Sequence, residues 1–311
     1  KGKKIAAFLL CFLMVWNLSF GMTAQASEGA VIHIASREDW EQFAKDCKLD
    51  SWSVGKQVVL DTDLDLSAEF HPIPIFSGTF DGDGHTIHVG SYLSDASDMG
   101  VFRYLESGAS ISRLTVTGTW QPSGRQEHIG GIVGNNRGTI EYCMFNGVVD
   151  GQNQVGGIAG VNETGGMIRN CIVRGEIRGE HDTGGVAGQN LGTIQRCTNE
   201  SSVNTDGETV APTLEELDLT QINQTENVSA YTDTGGIAGF SSGLIQGCEN
   251  IGKIGYPHVG YNVGGIAGRQ SGYLHDCENK GAVYGRKDVG GIVGQMEPYM
   301  ILRFSKDDLE R

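Results

Sequence analysis

The sequence predicts an all-β fold, a parallel β-helix (solenoid) whose first coil is closed by an N-terminal capping helix. From Gly130 onward a Gly-Gly pair, two apolar or small residues and a further Gly return six times. The copies start at 130, 156, 184, 235, 264 and 290, with spacings of 26, 28, 51, 29 and 26 residues. Periods of this size mark a solenoid or an array. Other positions keep step: Ile140, Ile168, Ile194, Ile245 and Leu274, then Cys143, Cys171, Cys197, Cys248 and Cys277, then Val149, Ile177, Val203, Ile254 and Val283. The residues between are turn formers and charged groups without a 3.6-residue period, which suits short strands and tight corners. The glycine content excludes helical repeats, because each Gly in a helix interior costs ~1 kcal/mol.

One unit fits a coil of three short strands and three corners, stacked at ~4.8 Å so that equivalent side chains form ladders. Ile132, Ile158, Val186, Ile237, Ile266 and Ile292 are expected to stack inside, over residues 99–294. Asn250 and Asn279 are read as corner residues that tolerate left-handed backbone. The Ile and Cys ladders lie three residues apart, so strict alternation fails and a bend is expected between them. Upstream, the register returns at Gly100-Val101-Phe102, Ile111 and Leu114, with Leu114 in the Cys position. Before that, Phe76 to Ile87 is turn-rich and flanked by strand-like Val58-Val59-Leu60 and His85 to Val89. Ser36 to Asp39 opens a helix through Trp40, Phe43, Ala44 and Cys47, a natural cap for a bare sheet edge.

Residues 1–26 read as a secretory signal peptide: Lys1, Lys3 and Lys4, an apolar run from Ile5 to Met22, then Ala24-Gln25-Ala26. Asn17 and Ser19 interrupt the run, which favours cleavage before Ser27 over an uncleaved membrane anchor. The expected organisation is a leader at 1–26, an N-terminal cap of helix plus strands at 27–75, and the β-helix at 76–298 with an acidic insertion at about 204–232. A first residue other than Met, and a capping-box-like Ser305 and Asp308, give the expectation that 299–311 begins a helical region of a longer protein.

Composition narrows the function. Gly is 47 of 311 residues, yet no three-residue Gly period runs through the chain and Pro is only 6, which excludes collagen and a Pro-rich linker. Lys and Arg number 23 against 38 Asp and Glu, a formal charge of −15, with no basic run beyond the first residues. Nucleic acid is therefore a poor partner. Residues 200–234 hold eight of the acids, Glu200, Asp206, Glu208, Glu215, Glu216, Asp218, Glu226 and Asp233, and neither Lys nor Arg. The 51-residue interval they occupy contains an irregular coil or ejects a loop, and such a loop is a place for a partner or a cation to bind.

The strings GGIVGNNRGTIEYCMFNGVV and its copies resemble the GLUG-motif repeats of bacterial secreted and cell-surface proteins, and FSGTFDGDGHTI resembles the segment that precedes them. The resemblance spans roughly residues 76–294. It implies a right-handed parallel β-helix, exported and often attached to the cell surface. Similar repeats occur beside the catalytic part of immunoglobulin A metallopeptidases. Those enzymes need a zinc-binding H-E-x-x-H, and none of the eight His here lies in that pattern, so no peptidase residue carries over.

Several residues suggest chemistry. Five Cys in one ladder could be a disulfide or metal set; coil spacing exceeds the ~3.8 Å that β-carbons of a disulfide prefer, which favours buried free thiols. Asp61, Asp63 and Asp65 alternate as if on one strand face, and Asp81 and Asp83 follow in a Gly-rich turn with His85. They could hold Ca²⁺ or serve a pectin-type lyase or hydrolase; a solvated strand face with Asp-Gly turns is the plainer reading. No basic residue recurs beside them in the sequence. His33, His71, His88, His128, His181, His258 and His275 are scattered and read as out of phase, at surface or corner positions. Neither a nucleophile elbow nor a phosphate loop is present. No catalytic, cofactor-binding or metal residue is therefore assigned. The expected function is an exported, non-catalytic bacterial surface stalk or adhesion module for an unknown surface protein or glycan, without a membrane span in the mature chain. The alternative is a carbohydrate-active enzyme on the same fold.

Overall fold

The computed structural model describes residues 31–298 apart from 123, 125 and 207–230. The expected leader at 1–26, most of the expected acidic insertion and the expected helical region at 299–311 lie outside the described residues. Parallel strands stack into a β-solenoid of about eight turns, with the single described helix at its N-terminal end.

From Glu127 to Asn279 each coil contributes to four sheets rather than having the three strands expected. Glu127–Gly130, Val133–Asn136, Thr139–Glu141 and Met144–Asp150 form one such coil and contribute to four sheets, here A, B, C and D in chain order. The extra strand arises because the Gly-Gly pair sits at a corner. Gly130 ends the strand in sheet A, and Gly131 and Ile132 turn the chain into sheet B.

Steric crowding explains all three glycines of the repeat. A β-carbon on the first, at Gly156, would strike the carbonyl of Ala159 in its own coil. One on the second, at Gly157, would strike the carbonyl of Gly185 above it and the side chain of Val173. One on the third, at Gly160, would strike the backbone of His128 in the coil below. The same three collisions recur in successive coils, so the motif records how closely the backbone of sheets A and B is packed.

Register follows the ladders read from the sequence. Gly130, Gly156, Gly184, Gly235, Gly264 and Gly290 pair in succession. The Ile ladder extends down through Ile111, Phe80, Val58 and Ile32, so parallel pairing begins at Ile32, well before residue 76. Ile132, Ile158, Val186, Ile237 and Ile266 are fully buried, as expected. Ile292 is not: it is 38% exposed, because no further rung covers the last coil among the described residues.

The bend between the Ile and Cys ladders is a left-handed corner between sheets C and D. Arg113, Tyr142, Asn170, Arg196, Gly247 and Asp276 all have positive φ there, between 49 and 62°. Each precedes Leu114 or a cysteine, and each of the five thiols donates to the carbonyl two residues earlier, at 3.3–3.4 Å. The cysteines are free; Cys143, Cys171, Cys197 and Cys248 are buried and Cys277 is half-buried, again through its place in the last coil.

Asn250 and Asn279 have a different task from the one expected. Asn199 and Asn250, both buried, and the half-buried Asn279 form an amide ladder, with Asn199 Nδ2 donating to Asn250 Oδ1 at 2.8 Å and Asn250 Nδ2 to Asn279 Oδ1 at 2.7 Å. A second ladder runs through Asn136, Asn162, Asn190 and Ser241.

Helix α1 (Arg37–Asp46) is started by Ser36, whose Oγ accepts from the Asp39 amide while Asp39 Oδ2 accepts from Ser36 Oγ and from the Ala35 amide. Its buried face places Trp40 against Phe80 and Phe102, and Phe43 against Phe76 and Phe80, with ring centroids 5.7–6.4 Å apart. The helix thus covers the inward-facing aromatics of the first coils with apolar surface.

Candidate functional site at the corner that carries the insertion

The insertion leaves an unbroken solenoid. His181–Gly184 and Thr232–Gly235 pair directly, Gly184 opposite Gly235, so the 51-residue interval is one coil plus an excursion. The interval leaves sheet D at Ser202–Val203 and is back in sheet A at Thr232–Gly235, a step that the preceding coil makes with Gly179 and Glu180 alone. Cys197 and Cys248 remain on successive coils across the interval, the Thr198 and Glu249 that follow them paired in register.

This corner concentrates ionisable groups. Arg178 Nη2 contacts Glu176 at 2.6 Å and Asp206 at 2.8 Å, and Nη1 lies 3.9 Å from Asp150. Burial pushes the Asp150 and Glu176 carboxyls up, while hydrogen bonds from Arg178 and Glu176 hold Asp206 down. Beside them is an open cleft of about 350 Å³ lined by Glu127, Gln152, Asn153, Glu180 and His181. Gln152 Nε2 donates to Glu180 at 2.9 Å, Gln152 Oε1 is buried without a partner, and His181 Nδ1 lies 2.8 Å from Thr232 Oγ1. Such a surface offers hydrogen bonds and negative charge to a ligand. Among the described residues, no group of three or more His, Cys, Asp or Glu is arranged to hold a metal.

The acidic residues expected to share a strand face are separately engaged. The strand Gln57–Leu60 ends before Asp61, and the next, Leu64–Asp65, belongs to sheet D, so the alternation spans a corner. Asp61 meets His33 at 2.9 Å, Asp63 accepts from the Thr86 amide at 2.8 Å and meets His85 at 3.2 Å, and Asp65 accepts from the Ser67 amide at 2.9 Å. A basic residue does stand beside the turn: Arg113, one coil on, ion-pairs with both Asp81 and Asp83. Burial opposes it, yet Arg113 and the Asp83 amide hold Asp81 below the usual carboxylate range. The Thr86 amide and His85 do the same to Asp63. A glycosidase acid needs the opposite shift.

His128 is in phase with the repeat, contrary to expectation. Asp98, His128, Gln154, Asp182, Asp233, Asn262 and Asp288 occupy equivalent rungs, all with positive φ. Their backbones are the ones that press on the third glycines. His128 Nδ1 lies 2.7 Å from Asp98, and that bond raises its pKa above the usual value. The signal was readable, since the residue two before every Gly-Gly pair is polar. Arg269, which reaches this ladder from sheet B, left no such signal.

Comparison with known proteins agrees with the fold. Residues 151–178 match the family model of the GLUG motif. Halomucin of Haloquadratum walsbyi is 33% identical over 88 residues, covering 27% of this chain and 1% of that protein, so the chain spans a very small part of this curated relative. The crystal structure of a candidate immunoglobulin A1 protease from Bacteroides ovatus superposes with a TM-score of 0.50 at 15% identity, over 86% of this chain and 82% of that one. At that identity the likeness establishes the solenoid and no activity. The chain is a β-solenoid repeat module that carries the GLUG motif.

Proposed function

We propose that this repeat module is an exported, non-catalytic surface stalk that presents the acidic insertion to a surface protein, glycan or cation. The pairing of the coils supports this reading: those before and after the insertion pair in register with each other, so the ladders continue without it. Many recurring polar groups elsewhere are engaged between coils, in amide ladders and in pairs such as Glu141 with Arg169 and Arg174 with Glu200. No described helix is long and apolar enough to cross a membrane.

The test replaces residues 205–230 with a short Gly-Ser linker in the full chain. The melting temperature should move by less than about 3 °C, since a surface loop contributes little to the core. Binding to a glycan array, and of Ca²⁺ by calorimetry, is compared with wild type. Binding lost with the fold intact supports the reading. Collapse of the fold makes the segment structural, and unchanged binding makes it passive; either result overturns the proposal.

A further inference from the structure

Asp182 and Asp233 occupy the same rung of successive coils and are only 9% and 8% exposed. Asp182 Oδ2 accepts from Gln154 Nε2 at 3.3 Å, and Asp233 Oδ1 accepts from Asn262 Nδ2 at 2.8 Å and from Arg269 Nε at 3.2 Å. The same guanidinium is 4.0 Å from Asp182 and 3.6 Å from Glu297, and lies over the Phe240 ring at 4.3 Å. One cation therefore serves three carboxylates, two of them buried side by side. The flanking rungs, Gln154 and Asn262, are neutral. Among the charged neighbours, His128 is committed to Asp98, and Asp288 lies one rung beyond Asn262 on the exposed last coil. Beside the pair, His181 is hydrogen-bonded to Thr232.

Two buried carboxylates on adjacent rungs cannot both stay ionised cheaply when they share one guanidinium. We propose that Asp182 and Asp233 hold a single proton between them, and that its loss loosens the joint between the two coils at the foot of the insertion. Location gives the device its meaning: Asp233 lies on the first strand after the insertion, and its partner rung Asp182 lies on the last sheet A strand before it. Burial, then the neighbouring Asp233 charge, pushes the Asp182 carboxyl up to about 6. The unfolded chain binds this proton more weakly. The stabilisation is therefore complete below about pH 4 and is lost as pH rises through about 6.

The experiment measures amide-exchange protection factors in the full chain at pH 5 and pH 8, alongside carboxyl ¹³C titration. Protection of residues 182–183 and 233–234 should fall about tenfold or more between the two pH values. Asp182→Asn, isosteric and permanently neutral, should abolish that fall. His181→Gln should leave it in place, since the proton belongs to the carboxylates. Should Asp182→Asn fail to fold, the wild-type titration decides: an aspartate midpoint near 6 that moves below about 4.5 in Asp233→Asn supports the shared proton. A wild-type midpoint near 4, equal protection at both pH values, or a pH response that vanishes with His181 overturns it.

Discussion

Asn162 donates its side-chain amide to Asn190 Oδ1, one coil on, at 2.8 Å in a fully buried position, and accepts from Asn136 Nδ2 at 2.7 Å. The same amide also reaches the carbonyls of Gly166 and Thr193, at 3.4 and 3.3 Å. Asn162→Ala strands a donor below and an acceptor above. The expected loss is about 2–4 kcal/mol, measured by urea unfolding, because a buried polar group without a partner costs its full desolvation. A loss under about 1 kcal/mol would mean that water replaces the amide.

Two glycines separate crowding from backbone conformation. Gly188→Ala drives a β-carbon into the backbone of Gln154, where neither chain can retreat, so a loss of about 3 kcal/mol or more is expected. Gly165 has φ +88° and open space around its missing β-carbon, so Gly165→Ala is expected to cost only about 1 kcal/mol of left-handed strain. Thermal unfolding of the two variants should rank them in that order.

The thiol ladder is expected to be closed to reagents in a graded way. Alkylation of the native protein should label Cys277 first, since it lies in the uncovered last coil, and spare Cys143, Cys171, Cys197 and Cys248 until denaturant is added. A hydrogen bond with Cys197 and burial push the Cys248 thiol up to about 12, which keeps it protonated and unreactive. An intact bridge between any two after denaturing alkylation would contradict the free-thiol packing.

The ladders were legible in the sequence because in-register stacking makes each inward position repeat, so Gly130, Ile140, Cys143 and Val149 announce themselves through their copies. The four-sided cross-section was not, since the period counts residues per coil and is blind to how many corners divide them. The Gly-Gly corner emerges only when the backbone of Gly157 is seen against that of Gly185. Asp81 and Arg113 are 32 residues apart and meet through coil stacking, so neither announces the other. Their ion pair, unlike the ladders, occurs in one place and has no copies to reveal it.

Asp98 and His128 give a second pH effect in a higher window. Hydrogen bonding to Asp98 raises the His128 pKa, so the charged pair stabilises the folded state fully below the usual histidine value of about 6.5 and loses that stabilisation as pH rises through the raised value. His128→Gln should flatten the stability profile above about pH 6.5 while leaving the fall attributed to Asp182 at lower pH. A His128 ¹H–¹⁵N titration at or below about 6.5 would contradict the assignment.

The acidic turn at Asp81 and Asp83 is one of the places where the sequence suggests polysaccharide chemistry, and there the carboxylates meet the guanidinium of Arg113 near a coil corner. Its charges are spent on each other. Asp81 and Asp63 are both held below the usual carboxylate range, so neither keeps a proton at neutral pH to give to a leaving group. Glycosidic cleavage also needs a second carboxyl free to act as base or nucleophile, whereas Asp83 is tied to the same guanidinium. Acidic polysaccharides incubated with the full chain, with and without Ca²⁺, should therefore yield neither new reducing ends nor unsaturated products. Asp81→Asn should lower the melting temperature by a few degrees through the lost ion pair and change no turnover. Cleavage by the wild type that disappears in Asp81→Asn or Asp63→Asn would establish the catalytic alternative and displace the stalk.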